Sequence, residues 1–159
     1  MEKAILYATR YGCTEQCSNI LASYISGEVE LKNLGKENVD VDKYDIVIIG
    51  GSISAGKINK EISSFCQNNL EALLNKKIGL FLCCLREGEE AEKQFRDAFP
   101  EQLIKKAVGV GYFGGRVSFK KLNFFFRKMM KKMLETDKDV STIKEANIEE
   151  FANKINRIT

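Results

Sequence analysis

Four short apolar runs constrain the fold of this chain more than any other feature of its sequence. They are residues 4–8, 45–49, 78–84 and 107–112, and none shows the alternation of a half-exposed strand. Runs of this kind are typical of strands that are buried on both faces, as in a parallel sheet. A fifth run, residues 29–34, alternates apolar and polar residues, which indicates a strand nearer an edge.

Helical patterns separate these runs. Residues 14–26, 59–74 and 89–99 carry apolar side chains at helical spacing, and Gly27 and Pro100 follow the first and third of them. Asn147, with Glu150 three positions later, predicts the N-cap of a last helix. Strand and helix therefore alternate five times, with one extra segment before the last helix. This order predicts a single three-layer αβα domain over residues 1–159, built on a doubly wound parallel sheet.

The cysteine and histidine content excludes several kinds of site. The chain has five cysteines and no histidine, and no two cysteines have zinc-ligand spacing. We therefore expect no metal site of the usual nitrogen and sulfur ligands, and no Ser-His or Cys-His nucleophile. Met1, Glu2 and Lys3 lead directly into the first apolar run, so we expect no signal peptide. With the odd cysteine count, this favours a cytoplasmic protein.

The first loop, residues 9–14, joins a buried strand to the start of a helix, where free N–H groups and the helix dipole converge. Its residues are Thr9, Arg10, Tyr11, Gly12, Cys13 and Thr14. Two threonine hydroxyls and a glycine that lets the backbone approach a phosphate predict an anion site. A plain N-cap at Thr14 and a turn at Gly12 would use the same residues. The loop lacks the glycine patterns of a Walker loop or a Rossmann fingerprint.

Two further loops follow the third and fourth strands, and ligands of doubly wound sheets bind at this edge. The second loop contains Ser52, Ile53, Ser54, Ala55, Gly56 and Lys57, and the third contains Leu85, Arg86 and Glu87. Small residues and glycine leave room for a flat ring and expose backbone N–H groups to its polar edge. Lys57, Arg86 and Glu87 are equally compatible with solvated surface positions. Neither loop contains an aromatic residue.

The T-x-x-G-x-T pattern of the first loop resembles the phosphate loop of flavodoxin-like FMN proteins. The similarity continues through residues 44–45 and 49–57 and returns at residues 135–137. Together these segments resemble the flavodoxin branch that contains the menaquinone-dependent protoporphyrinogen IX dehydrogenases, and the similarity spans nearly the whole chain. The chain departs from that branch in the second loop. There the dehydrogenases carry larger, more polar residues at the positions of Ser54 and Ala55, and histidine at that of Lys57.

The resemblance implies a five-stranded parallel sheet of order 2-1-3-4-5 and one non-covalently bound FMN. It implies that the first loop holds the phosphate, the second contacts the isoalloxazine ring, and the third closes over its other side. The implied function is FMN-dependent electron transfer by an oxidoreductase acting on a flat substrate such as a porphyrinogen or quinone. The alternatives are a flavodoxin-type soluble electron carrier between redox proteins and a binding domain without flavin. Carriers usually hold the flavin between aromatic side chains, so the aromatic-free loops predict an open flavin face and a higher reduction potential.

A basic, aromatic helical insert, approximately residues 115–146, precedes the last helix. Its core, residues 116–134, has no acidic residue, and its basic residues are Arg116, Lys120, Lys121, Arg127, Lys128, Lys131 and Lys132. Its apolar residues Leu122, Phe125, Phe126, Met129, Met130 and Met133 recur at helical spacing, which predicts one apolar face.

Three interpretations of this insert stay open. It could be a helix packed on its own domain, or a surface helix on anionic lipid that gives access to a membrane quinone. It could also be a docking face for an acidic redox partner. The second interpretation would place the cytoplasmic protein at the inner face of the membrane. The net charge is only +3 and no nucleic-acid-binding module is present, so we expect no nucleic-acid partner.

Overall fold

The chain folds into eight strands and seven α-helices, described by a computed structural model over residues 1–159. The strands are β1 (Lys3–Tyr7), β2 (Glu30–Asn33), β3 (Ile46–Ser54), β4 (Lys57–Ile58), β5 (Lys77–Cys83), β6 (Gly109–Tyr112), β7 (Arg116–Val117) and β8 (Val140–Ser141). The helices are α1 (Cys13–Tyr24), α2 (Lys60–Asn68), α3 (Leu70–Leu73), α4 (Gly88–Ala98), α5 (Glu101–Lys106), α6 (Phe124–Leu134) and α7 (Glu145–Asn156).

Five parallel strands form the central sheet in the order β2-β1-β3-β5-β6. This confirms the expected order 2-1-3-4-5. The numbering differs because β4, which the sequence did not predict, pairs antiparallel with the end of β3. Strands β7 and β8 form a separate two-stranded antiparallel ribbon within the insert.

Both faces of the sheet are covered, which explains the unbroken apolar runs. Leu6 pairs with Ile49 in the β1–β3 ladder, and both belong to the core on one face. The next pair, Ile5 and Ile48, belongs to the core on the other face. All four side chains are fully buried. Helices α2 to α5 cover the first face and α1 and α7 the second, so the three-layer αβα expectation is confirmed.

Three helical expectations need correction. The helix expected over residues 59–74 is divided into α2 and α3, because Asn69 has a non-helical φ of −117°. Pro100 follows α4 as expected, but it also precedes a helix that the sequence did not predict, α5. The expected N-cap at Asn147 is wrong, because α7 begins two residues earlier. The Asn147 side-chain amide instead donates to the Tyr112 carbonyl at 2.9 Å, which ties α7 to β6.

The insert packs on a small core of its own. Val117, Phe119 and Leu122 are buried there, and Tyr11 of the first loop and Leu85 of the third loop pack against them. The insert is therefore fixed to the loop edge of the sheet.

Helix α6 has one packed face and one exposed face. Phe126 and Met130 pack against the small core, as the interpretation of a helix packed on its own domain requires. Phe125, which the helical spacing groups with these residues, is 70 % exposed, and the neighbouring Phe124 is 81 % exposed. None of the seven helices combines the length and the apolar character needed to cross a lipid bilayer.

Candidate functional site

A cavity of about 420 Å³ opens at the carboxyl ends of β1, β3 and β5, where the three loops converge. The expected site residues that line it are Thr9, Arg10, Tyr11, Cys13, Ser52, Ile53, Ser54, Ala55, Gly56, Leu85 and Arg86. Small-molecule sites commonly occupy about 300–1000 Å³. The cavity therefore has the size and the position of a cofactor site in a doubly wound sheet.

Four expected site residues do not line this cavity: Gly12, Thr14, Lys57 and Glu87. Lys57 lies on β4 with its side chain exposed, which is the solvated position that the sequence also allowed. The Glu87 carboxylate turns away to pair with the Lys144 ammonium at 2.7 Å, which lowers the pKa of Glu87. Lys57 and Glu87 thus lie outside the cavity wall, Gly12 is half-buried in the first loop, and Thr14 is buried behind it. Contact of these four residues with a cofactor stays a prediction.

Gly12 turns the first loop into α1. Its φ of +93° lies in the left-handed region that favours glycine, and its N–H donates to the Thr9 hydroxyl oxygen at 2.8 Å. Gly12 is therefore the N-cap residue of α1, and the interpretation of Thr14 as the cap is wrong. Thr14 lies in the first helical turn and is fully buried.

The Thr14 hydroxyl is buried without a hydrogen-bond partner. Buried polar atoms are nearly always paired, so an orphan at a helix start indicates a ligand that binds there. Two cations of the insert lie over the same loop. The Arg116 guanidinium and the Lys121 ammonium are 3.4 and 3.3 Å from the Tyr11 carbonyl oxygen. Together with the positive end of α1, these charges make an anion site.

The second loop is a tight hairpin between β3 and β4. Ala55 and Gly56 both adopt left-handed backbone conformations, with φ of +52° and +77°. The Ser52 N–H donates to the Asn59 side-chain oxygen at 2.8 Å, which fixes the base of the hairpin. A left-handed alanine is a strained conformation that is found preferentially at ligand sites. The hairpin is consequently a preformed wall of the cavity.

The insert supplies an apolar wall that the sequence did not place at the site. Its cavity-lining apolar residues are Val117, Leu122, Phe126, Met129, Met130 and Met133. The Arg10 guanidinium carbon lies 4.5 Å from the Phe126 ring centroid, a cation–π contact that joins this wall to the first loop. The second and third loops contribute no aromatic side chain to the cavity, and helix α6 lines it from the side of the insert. The open flavin face and the higher reduction potential stay predictions.

Three cysteine thiols meet below the first loop. Cys13 and Cys17 lie one turn apart on α1, and Cys83 ends β5; their sulfur atoms are all within 4.8 Å of one another. Cys17 and Cys83 stabilise the thiolate of Cys13, which lowers the pKa of Cys13 and raises the pKa of the other two thiols. Sequence spacing gave no signal for this cluster, because Cys83 comes from a distant strand.

Comparison with protein families decides the identity. The model of the flavodoxin domain matches residues 4–143, most of the chain. The chain belongs to the flavodoxin domain family. A search of curated proteins finds no sequence match for this flavodoxin-like protein.

Solved structures show the same fold at low sequence identity. Flavodoxin 2 from Bacillus cereus is 19 % identical with a TM-score of 0.61, and each chain is covered completely. The flavodoxin of Streptococcus pneumoniae TIGR4 is 17 % identical with a TM-score of 0.59, again over the whole of both chains. The two-electron reduced flavodoxin of Megasphaera elsdenii is 21 % identical with a TM-score of 0.53 over 69 % of this chain and 83 % of its own.

FMN is the cofactor of this flavodoxin-like protein, and the residues present fit it. The buried Thr14 hydroxyl and the N–H groups at the start of α1 would hold the phosphate, and Arg116 and Lys121 would balance its charge. The second and third loops would hold the ring, and the apolar wall of the insert would face it across the cavity. When bound, FMN supplies the electron-transfer chemistry, while the chain supplies binding, orientation and electrostatics.

Proposed function

We propose that this protein is an FMN-dependent oxidoreductase that exchanges electrons with a flat organic substrate such as a porphyrinogen or a quinone. The observation that carries the proposal is the apolar wall of the insert, which faces the second and third loops across the cavity. An apolar, partly enclosed wall suits a flat small molecule that packs beside the cofactor site. The motif resemblance to the menaquinone-dependent protoporphyrinogen IX dehydrogenases supports the same class of substrate.

The second candidate is a flavodoxin-type carrier that passes electrons between redox proteins. It is favoured by the full-length similarity to two solved flavodoxins. The two candidates differ in what exchanges electrons with the protein. An oxidoreductase shows saturable turnover with the small molecule, whereas a carrier needs a protein on each side.

The deciding experiment is an anaerobic assay of the FMN-loaded full chain. Protoporphyrinogen is offered to the oxidised protein and a soluble menaquinone analogue to the reduced protein, with a panel of redox-protein partners in parallel. We expect saturable exchange with at least one of the two small molecules. Exchange with the protein panel alone supports the carrier and overturns the proposal.

Shortening Phe126 to alanine should raise the KM for the quinone analogue about tenfold and change kcat less than about twofold. The reason is that one aromatic contact of the apolar wall is worth about 1.4 kcal/mol, or a factor of ten in affinity. Phe125→Ala is the matched control, because this neighbouring ring does not line the cavity and is 70 % exposed. Steady-state kinetics and the FMN dissociation constant are measured for both variants. Equal effects of the two changes would contradict a substrate contact at Phe126.

The exposed face of α6 is proposed to touch an anionic membrane, which would give the site access to a membrane quinone. Phe124 and Phe125 stand out from the helix beside Lys128, Lys131 and Lys132. Of the other basic residues, Arg116 and Lys121 turn to the first loop, and Arg127 donates to the Phe119 and Leu122 carbonyls. Apolar anchors flanked by cations are the pattern of an interfacial helix.

We expect the protein to float with liposomes that contain anionic lipid, and the floating fraction to fall as the salt concentration rises. With neutral liposomes the protein should not float. The double change Phe124→Ser and Phe125→Ser should abolish flotation. The control Val108→Ser removes an exposed apolar residue at the opposite edge of the sheet and should leave flotation unchanged. Flotation that survives the double change, or its absence with both lipids, would contradict membrane contact and leave the helix as a protein-docking or purely structural element.

A further inference from the structure

The thiols of Cys13, Cys17 and Cys83 form a group that electron transfer by FMN does not require. Their sulfur atoms lie within 4.8 Å of one another, although the residues come from two different elements. All three side chains are buried, with residue exposures of 7, 0 and 2 %. The other two cysteines, Cys66 and Cys84, lie outside this group.

We propose that these three thiols form a binding site for one soft, three-coordinate ion of the kind represented by monovalent copper and trivalent arsenic. Metal–sulfur bonds are about 2.3 Å long, so an ion at the centre of a trigonal set holds its sulfurs about 4 Å apart. The observed upper limit of 4.8 Å lies close to this value. Small side-chain rotations are therefore sufficient to close the site.

The donor set favours soft ions over hard ones. The group contains no carboxylate, and the chain contains no histidine. Thiolate sulfur selects monovalent copper and similar thiophilic ions, whereas oxygen ligands suit calcium and magnesium. Structural zinc usually takes four protein ligands, and only three converge here.

The cavity gives an ion a route to the sulfurs. Cys13 and Cys83 line the wall of the cavity, and Cys17 lies directly behind them. Cys13 is also the first residue of α1 and a member of the first loop. An ion bound to it would fix the loop, so ion binding and FMN binding are expected to influence one another equally in both directions.

Neither kind of ion needs a redox step to bind. Arsenous acid reacts with three thiols to form three As–S bonds and releases three water molecules, with arsenic remaining trivalent. Monovalent copper displaces thiol protons to solvent and stays monovalent. No oxidant or reductant is consumed in either case.

The test uses the full chain, both as the apoprotein and loaded with FMN, with its thiols reduced and under anaerobic conditions. Monovalent copper is titrated in competition with a chromophoric chelator, and arsenite uptake is measured by native mass spectrometry. We expect one ion per chain, and X-ray absorption should show three sulfur neighbours at about 2.3 Å.

Alanine variants assign the site to its residues. Cys17→Ala and Cys83→Ala should each weaken ion binding at least about 100-fold. Loss of a residue that only hydrogen-bonds to a metal ligand already lowers metal affinity up to about 100-fold, and loss of the ligand itself should lower it no less. Cys66→Ala is the matched control for Cys17→Ala, because Cys66 is also a fully buried cysteine of a helix. Its removal should leave ion binding unchanged. Circular dichroism confirms that each variant is folded, and two independent ligand variants keep the test decisive if one of them is not.

Several outcomes would overturn the proposal. Ion uptake that survives both ligand variants would place the site elsewhere. A mass loss of two hydrogens in place of ion uptake would show a disulfide within the group. Tight zinc binding in a shell of three sulfurs and one oxygen would assign the site to a four-coordinate divalent ion. None of these readouts depends on electron transfer, so they are independent of the proposed oxidoreductase function.

Discussion

Replacing Thr14 with valine is expected to weaken FMN binding about 10- to 100-fold and yet leave the apoprotein at least as stable as the wild type. The Thr14 hydroxyl is buried and unpaired in the first turn of α1. A hydrogen bond to a charged group contributes about 1.5–3 kcal/mol, which is roughly a factor of 10 to 100 in affinity. Without the phosphate, the unpaired hydroxyl costs about 1–3 kcal/mol, and valine has nearly the same shape without that cost.

Ser18 provides the matched control for this prediction. It lies one turn farther along α1, and its hydroxyl is also fully buried without a partner. Ser18→Ala should therefore stabilise the apoprotein in the same way and leave FMN affinity unchanged. Affinity is measured by quenching of FMN fluorescence, and stability by urea unfolding of the apoprotein. Equal losses of affinity in both variants would show that the first helical turn acts only as scaffold.

The sheet could be predicted from the sequence because the relevant signal is local. Buried parallel strands exclude polar residues from both faces, so runs such as residues 45–49 indicate strands without any knowledge of their neighbours. The first loop could be predicted for the same reason, since its residues are contiguous. The predictions of helix ends were less accurate. Asn147 has the sequence pattern of a cap, but its side chain donates a tertiary hydrogen bond to the Tyr112 carbonyl.

The composition of the site could be predicted only in part, because much of it arrives from distant segments. Arg116 reaches the Tyr11 carbonyl across 105 positions of the chain, and Lys121 across 110. Periodicity in the insert indicated a helix with an apolar face, but nothing in it indicated which surface that face would meet. The proximity of Cys83 to Cys13 likewise depends on the register of β5 in the sheet, and this register cannot be predicted from the spacing of cysteines along the chain.

Substituting alanine for Gly114 is expected to destabilise the apoprotein by about 3 kcal/mol or more, a fall of roughly 6–12 °C in Tm for a chain of this size. Gly114 joins β6 to the insert with a φ of +77°. A Cβ there would lie 1.9 Å from the Thr142 carbonyl oxygen. That oxygen belongs to backbone held in place by the Thr142 N–H, which donates to the Gly115 carbonyl at 2.7 Å. Neither the Gly114 backbone nor the Thr142 backbone can shift without loss of this hydrogen bond. We therefore expect the connection between β6 and the insert to open.

Gly56→Ala is the control that separates the cost of the steric clash at Gly114 from the cost of the left-handed backbone conformation. Gly56 has the same φ of +77°, but a Cβ there would meet no atom within 4 Å. This change should therefore cost only the left-handed penalty of about 1–2 kcal/mol. Urea unfolding of the two apoproteins gives the difference directly. Because Arg116 follows Gly114 by two residues, Gly114→Ala should also release the cation from the first loop and weaken FMN binding. Equal destabilisation by the two substitutions would show that the insert tolerates separation from β6, and the wall formed by α6 would then not be rigidly held over the cavity.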